Sequence, residues 1–226
     1  ERIEDISTLY QEAPQRPDEL VVSTDEMTAI QVLERIAPDR PMSEGHPVAI
    51  EFEYKRHGTQ TLIAALQVAT GTVCGLVGET RTETDFARFI EWVVQLNPGY
   101  RVYHFVLDQL NTHKSETLVR TTARLCGLDL DLGVKGESGI LQSMATREAF
   151  LSSPDKAMVF HYTPKHASWM NQIEIWFGIL AKKVIKRGNF PSKAALREAL
   201  LNFIHYFNAT MAKPFKWTYQ GKPLVA

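Results

Sequence analysis

The 226 residues carry 25 Lys and Arg against 26 Asp and Glu, a formal charge of −1, and 44% are hydrophobic. That is enough chain to bury one sizeable core, but its charge excludes a uniformly basic protein, so a nucleic-acid partner would have to meet a local patch. Cys74 and Cys126 exclude a disulfide framework and fit a reduced, cytoplasmic setting; no apolar run of membrane-spanning length and no signal-peptide pattern is present.

Residues 1–19 read as a lead-in helix and linker, with Ile3, Ile6, Leu9 and Tyr10 near helical spacing before Pro14 and Pro17. Leu20 to Ser23 is a short strand candidate ending in Asp25 and Glu26. Ala29 to Ile36 fits either a helical turn or an extended segment. Pro47 to Tyr54 alternates strictly, Val48, Ile50, Phe52 and Tyr54 against Glu51 and Glu53, which predicts a half-exposed strand. Lys55 to Thr59 reads as a basic turn, and Leu62 to Ala69 and Val73 to Val77 as strands joined by a hairpin at Gly71.

Thr82 to Leu96 is helical, with Phe86, Phe89, Ile90 and Val93 on one face and a Thr82–Asp85 capping pair; Asn97-Pro98-Gly99 stops it. The apolar run Val102 to Leu107 predicts a buried strand that breaks into Asp108, Asn111, His113 and Lys114. A helix follows from about Glu116 to Cys126, ended by Gly127. Residues 128–156, with three glycines and mixed charge, read as an insertion or flap containing a short helix over 140–151. Ala157 to Tyr162 is another strand, Ser168 to Arg187 a helix, and Pro191-Ser192 opens a last amphipathic helix carrying Leu196, Leu200, Phe203, Ile204 and Phe207. Residues 209–226 form a basic-aromatic tail. This order fits an α/β fold, a mixed sheet flanked by helices.

Asp25 and Asp108 both follow apolar strand candidates, and α/β proteins build sites at the carboxyl edge of a sheet. Asp108 alone equally fits a turn cap. Glu174 lies beside the helical stripe Trp169, Ile173, Trp176, Phe177, Leu180 and Val184, with Asn171, Gly178 and Ala181 on its own face. It also fits an ordinary surface glutamate. Three such carboxylates can hold a pair of hard cations that drive in-line phosphoryl displacement. No Ser-His-Asp logic, phosphate-binding glycine loop or zinc spacing competes with that reading.

The stretches V-L-D-Q-L-N-T-H-K-S and H-Y-T-P-K-H-A-S-W-M-N-Q-I-E-I-W-F-G-I-L resemble the second and third catalytic blocks of DDE transposases, in the bacterial insertion-sequence (IS six-thirty) branch of the mariner-like superfamily. S-T-D-E-M-T-A-I-Q-V-L-E-R resembles the first block, and the likeness runs from about Leu20 to Leu224. It implies a ribonuclease-H-like catalytic domain over 20–226 with a mixed five-stranded sheet, and a catalytic, metal-binding triad of Asp25, Asp108 and Glu174. It further implies two Mg²⁺ ions (Mn²⁺ as substitute), hydrolysis at transposon ends, and strand transfer into target DNA, typically at TA. The expected partners are both DNAs and a second copy of the chain, in the bacterial cytoplasm at the nucleoid, with no membrane and no small-molecule substrate. Glu174 follows Asp108 by 66 residues, a longer spacing than is usual in that superfamily, and the excess coincides with 128–156. The superfamily's helix-turn-helix region would lie upstream of this chain. Two rivals stay open: a domesticated nuclease that never joins DNA, and a non-catalytic DNA-binding or assembly module.

Candidate DNA contacts are Lys55, Arg56, His113, Lys114, Lys165, His166, Asn171, Lys182 and Lys186. His113 fits a phosphate- or water-positioning role and a local structural one equally, and His161 and His166 also fit structural histidines. Lys182, Lys183, Lys186 and Arg187 suit either a phosphate track or a solvated helix end. Phe215, Trp217 and Tyr219, interleaved with Lys213, Lys216 and Lys222, suit either nucleic acid or docking on the core.

Overall fold

A computed structural model describes residues 2–49, 51–186 and 188–219. Its centre is a mixed sheet of β1 (Glu19–Arg35), β2 (Tyr54–Gln67), β3 (Val73–Gly78), β4 (Val102–Leu107) and β5 (Met158–Tyr162), in spatial order β3-β2-β1-β4-β5. The β1–β2 and β2–β3 pairs are antiparallel, whereas β1–β4 and β4–β5 are parallel. Around it stand α1 (Arg2–Glu12), α2 (Glu83–Leu96), α3 (Glu116–Leu125), α4 (Met144–Ser152), α5 (Ile173–Leu180) and α6 (Lys193–Thr210).

Strand alternation divides the apolar residues between two layers. Leu20, Val22, Phe105, Leu107 and Phe160 pack against α2 and α3 through Phe86, Phe89, Ile90 and Leu118. On the opposite face Val21 and Val106 lie under Ile6, Leu9 and Tyr10 of α1, and Leu62, Ala64 and Leu66 lie under α5 and α6. The capping box of Thr82 and Asp85 starts α2, and the predicted face of α6 is the buried one.

Several expectations need correction. The first strand does not stop at Ser23: it runs through Arg35, past register shifts between Met27 and Ile30 and between Gln31 and Leu33. Ala29, at φ 54, sits at the first shift. Lys55 to Thr59 is no turn but part of β2. Among the described residues, Pro47 to Tyr54 forms no strand before Tyr54, and Val48 (55%) and Phe52 (81%) are exposed; alternation makes a strand face only where a second layer covers it. Ile50 lies outside the described residues. The lead-in helix is a core element, since Ile6, Leu9 and Tyr10 are buried. The 128–156 segment, read as an insertion or flap, packs on the main core: Leu141 and Leu151 are fully buried there, and Arg147 Nε donates to Lys114 O at 2.7 Å. The helix expected from Ser168 begins only at Ile173, after a 3₁₀ turn at Ser168–Met170, and runs into a π-helical turn at Ala181–Ile185.

Candidate functional site

Asp25 is within β1, opposite the small Ala64 of β2. On its other side the parallel pairing runs to Ser23↔Val106, and Asp25 and Asp108 stand two residues further along each strand. Equal steps keep both on the face shared with α1 and α5. Asp108 leaves the end of β4 and its Oδ1 accepts the Leu110 N–H at 2.9 Å. It therefore caps the turn. Burial, then the Asp108 charge, pushes the Asp25 carboxyl up to about 7.

Glu174 sits in the first turn of α5, exposed at the rim. Burial, then the charge of Asp108, raises its carboxyl also. The charge of Asp108 thus acts on both other acids. The start of α5 is bolted to β1 by buried polar groups. Asn171 donates through Nδ2 to Thr24 O at 3.0 Å and to Asp25 Oδ2 at 3.1 Å, Ser23 Oγ donates to Asn171 Oδ1, and the Ile173 N–H reaches Ser23 Oγ at 2.9 Å.

Behind the acids, on the other face of the sheet, His113 is buried between two carboxylates. Its Nε2 lies 2.9 Å from Glu26 Oε2, a carboxylate that is itself 1% exposed, and its Nδ1 lies 2.7 Å from Asp108 Oδ1. The second contact is a close ion pair rather than an aligned hydrogen bond. Burial pulls the imidazole down, but Asp108 and Glu26 lift it to about 10. Burial would raise Asp108 in turn, and His113 holds it below the usual carboxylate range.

Asp25, Glu26 and His113 bring one ligand atom each within 4.8 Å of one another. A protonated imidazole has no lone pair to give, so this grouping is better described as an ion pair than as a ligand set. The donors that suit a hard cation are the oxygens of Asp25, Asp108 and Glu174. Burial is the larger cause of the upward shift of Asp25 and the charge of Asp108 the second; a cation beside both would relieve that second part.

A family model described as DDE superfamily endonuclease matches residues 20–197. The chain belongs to this family. No curated protein matches it. Among solved structures it is similar to Mos1 transposase in a paired-end complex with the left transposon end, with TM-score 0.52 and 11% identity, covering 96% of this chain and 56% of that one. The Mos1 mariner paired-end complex with Mn overlaps less closely, with TM-score 0.37 and 14% identity over 95% of this chain and 62% of that one. The first likeness shows the ribonuclease-H-like fold, and the chain spans little more than half the length of that Mos1 protein.

In this DDE superfamily chain the other candidate residues divide by exposure. Lys55, Arg56, Lys165, His166, Lys182 and Lys186 are exposed; Arg187 lies outside the described residues. Three candidates are not surface groups. His113 and Asn171 are fully buried, and Lys114 donates to Gln109 Oε1 at 2.5 Å and Glu148 Oε2 at 2.6 Å beneath α4. All three are buried, unlike the exposed candidates. His161 pairs with Asp5 at 2.7 Å and lies 3.0 Å from His104, tying α1 to the sheet. In the tail, Trp217 meets Tyr10 edge-on at 5.0 Å and Phe215 packs near α5 and α6, so docking of these aromatics is observed; Lys222 lies outside the described residues. Glu26 was not singled out as a site residue. The signal for it is its place one residue after Asp25, which in a strand points it to the opposite face.

Proposed function

We propose that this chain is the catalytic domain of a transposase of the bacterial insertion-sequence (IS six-thirty) branch. It would hydrolyse phosphodiesters at transposon ends and transfer the freed strand into target DNA at TA, with Asp25, Asp108 and Glu174 as the catalytic acids. The observation that supports this reading is the buried Asn171 bond to Asp25 at 3.1 Å, which ties the start of the helix bearing Glu174 to the strand bearing Asp25, within a DDE superfamily match that spans all three acids. The oxygen-only donor set suits two Mg²⁺ ions, or Mn²⁺ in their place. When bound, such ions supply an activated water or 3′-hydroxyl and stabilise the leaving oxygen.

The chain's own residues do the rest. Asn171 orients Asp25 and holds the first turn of α5 against β1, which sets the level of Glu174. His113 supplies a fixed positive charge behind Asp108, so that carboxylate stays ionised. The Mos1 protein is assembled as a paired-end complex, and the same pairing of DNA ends by two copies of this chain is part of the proposal.

The test is cleavage and joining of labelled transposon-end duplexes with Mg²⁺, by the wild type, Asp108→Asn and Glu174→Gln. Cleavage and joining that both variants lose supports the reading. Metal-dependent cleavage without joining supports a nuclease instead. DNA binding without cleavage, unchanged in both variants, points to a binding module.

A further inference from the structure

The connector from β5 to α5 presents one large aromatic outward. Trp169 had the spacing of the buried stripe of α5, but it precedes that helix, in the 3₁₀ turn, and is 52% exposed. Its neighbours in sequence are anchored. Met170 is fully buried in the α1 layer, with its carbonyl accepting Tyr10 Oη–H at 3.0 Å, and Asn171 is fully buried against Asp25. The indole is held as well: it is parallel to Trp217, at 6.4 Å and 9°, and perpendicular to Tyr219, at 5.0 Å and 90°. His166, three residues before it, keeps a left-handed backbone at φ 62, which is strained for any residue with a side chain.

A rigid, half-exposed indole is an unusual surface feature, and its position narrows what could cover it. One residue, Met170, separates Trp169 from Asn171, so their Cα atoms are at most about 7 Å apart. Asn171 touches Asp25. The exposed cations Lys165, on the same connector, and Lys216, one residue before Trp217, lie on the flanking segments. A half-exposed π face with exposed cations on the flanking segments, tied through Asn171 to a carboxylate, matches a nucleobase with its phosphates. A paired base inside a duplex has no free face to offer, whereas an unpaired one has.

We infer that Trp169 is a stacking platform for an unpaired base of the DNA, next to the phosphate held at Asp25, Asp108 and Glu174. This rests on the DNA-processing reading above. Trp169 is a positioning residue: it touches substrate away from the reacting atoms and holds the strand in register with the acids.

The experiment compares two labelled duplexes, one fully paired and one with a short 3′ overhang, binding to wild type, Trp169→Phe and Trp169→Leu in Ca²⁺. A third duplex carries abasic overhang nucleotides. The wild type is expected to favour the natural overhang over the abasic one. Trp169→Leu, apolar but without a π face, should lose about tenfold in affinity for the natural overhang, and Trp169→Phe should keep most of it. Affinity for the paired duplex should stay level in all three proteins. Equal binding of natural and abasic overhangs by the wild type, or equal binding of the overhang by wild type and Trp169→Leu, overturns the inference and leaves the functional reading standing. Failure of the wild type to bind any of these DNAs overturns both.

Discussion

Asn171 Nδ2 lies 3.1 Å from Asp25 Oδ2, linking residues 146 apart in the chain. The amide is fully buried, and it meets the first acid on β1 while the peptide that follows enters the helix bearing Glu174. One side chain therefore sets the level of two carboxylates. Asn171→Ala leaves Thr24 O and Ser23 Oγ without that partner, at about 1–3 kcal/mol for unsatisfied buried groups. Metal-dependent activity should fall about 10- to 100-fold, as for other groups that orient a ligand. Denaturant melts beside a Mn²⁺ titration separate the two effects, and unchanged affinity would remove Asn171 from the site's support.

Asp25 is expected to cost the fold stability. Its carboxyl is raised from 3.8 to about 7 by burial and by Asp108, so the folded state binds this proton more tightly than the unfolded chain. The resulting loss of stability sets in as pH rises above 3.8 and is complete above about 7. Asp25→Asn should melt higher than wild type at pH 8 by about 2–4 °C, the shift that 1 kcal/mol gives in a chain of this size. Near pH 4 the two should converge. Added Mg²⁺ should raise the wild-type melting temperature and leave the variant's unmoved. A variant that melts lower at pH 8 would contradict the repulsion.

His113 acts in the opposite sense. Its pKa is raised from 6.5 to about 10, against its burial, by Asp108 and Glu26. The stabilisation is full below pH 6.5 and is lost as the pH rises through about 10. His113→Gln leaves Glu26 buried without its cation, at about 3–5 kcal/mol for one broken buried pair. The gap between wild type and variant should be widest near pH 6 and narrow near pH 10. Urea melts at the two pH values check this, and a gap independent of pH would mean that the ring is neutral.

Gly71 closes the β2–β3 hairpin at φ +74, and a Cβ built there would lie 2.0 Å from the Lys213 carbonyl oxygen. Gly71→Ala combines a strained backbone, about 1–3 kcal/mol, with displacement of the chain entering the aromatic tail. A lower melting temperature and faster proteolysis after Lys213 are expected. Full stability would show that the tail moves aside freely.

Much of this architecture is local and was legible in the residues. The 3.6-residue periods of α2 and α6, the Thr82–Asp85 box and the Gly71 hairpin follow from covalent geometry and near-neighbour contacts. The three candidate acids stand out in the blocks around Asp25, Asp108 and Glu174, although nothing in those blocks says that the charge of Asp108 raises the other two carboxyls. Burial was not legible. The alternation of Pro47 to Tyr54 and the helical spacing of Trp169 describe faces, and a face becomes core only when another element arrives to cover it. No layer covers Val48 or Phe52, and α5 starts too late to carry Trp169 inward. The pairing of Glu26 with His113 joins positions 87 apart. Sequence by itself determined the elements whose signals are local, such as α2, α6 and the Gly71 hairpin, and the chemical groups they carry. Only the tertiary structure decided which groups leave water, because desolvation and charge pairing depend on what converges in space.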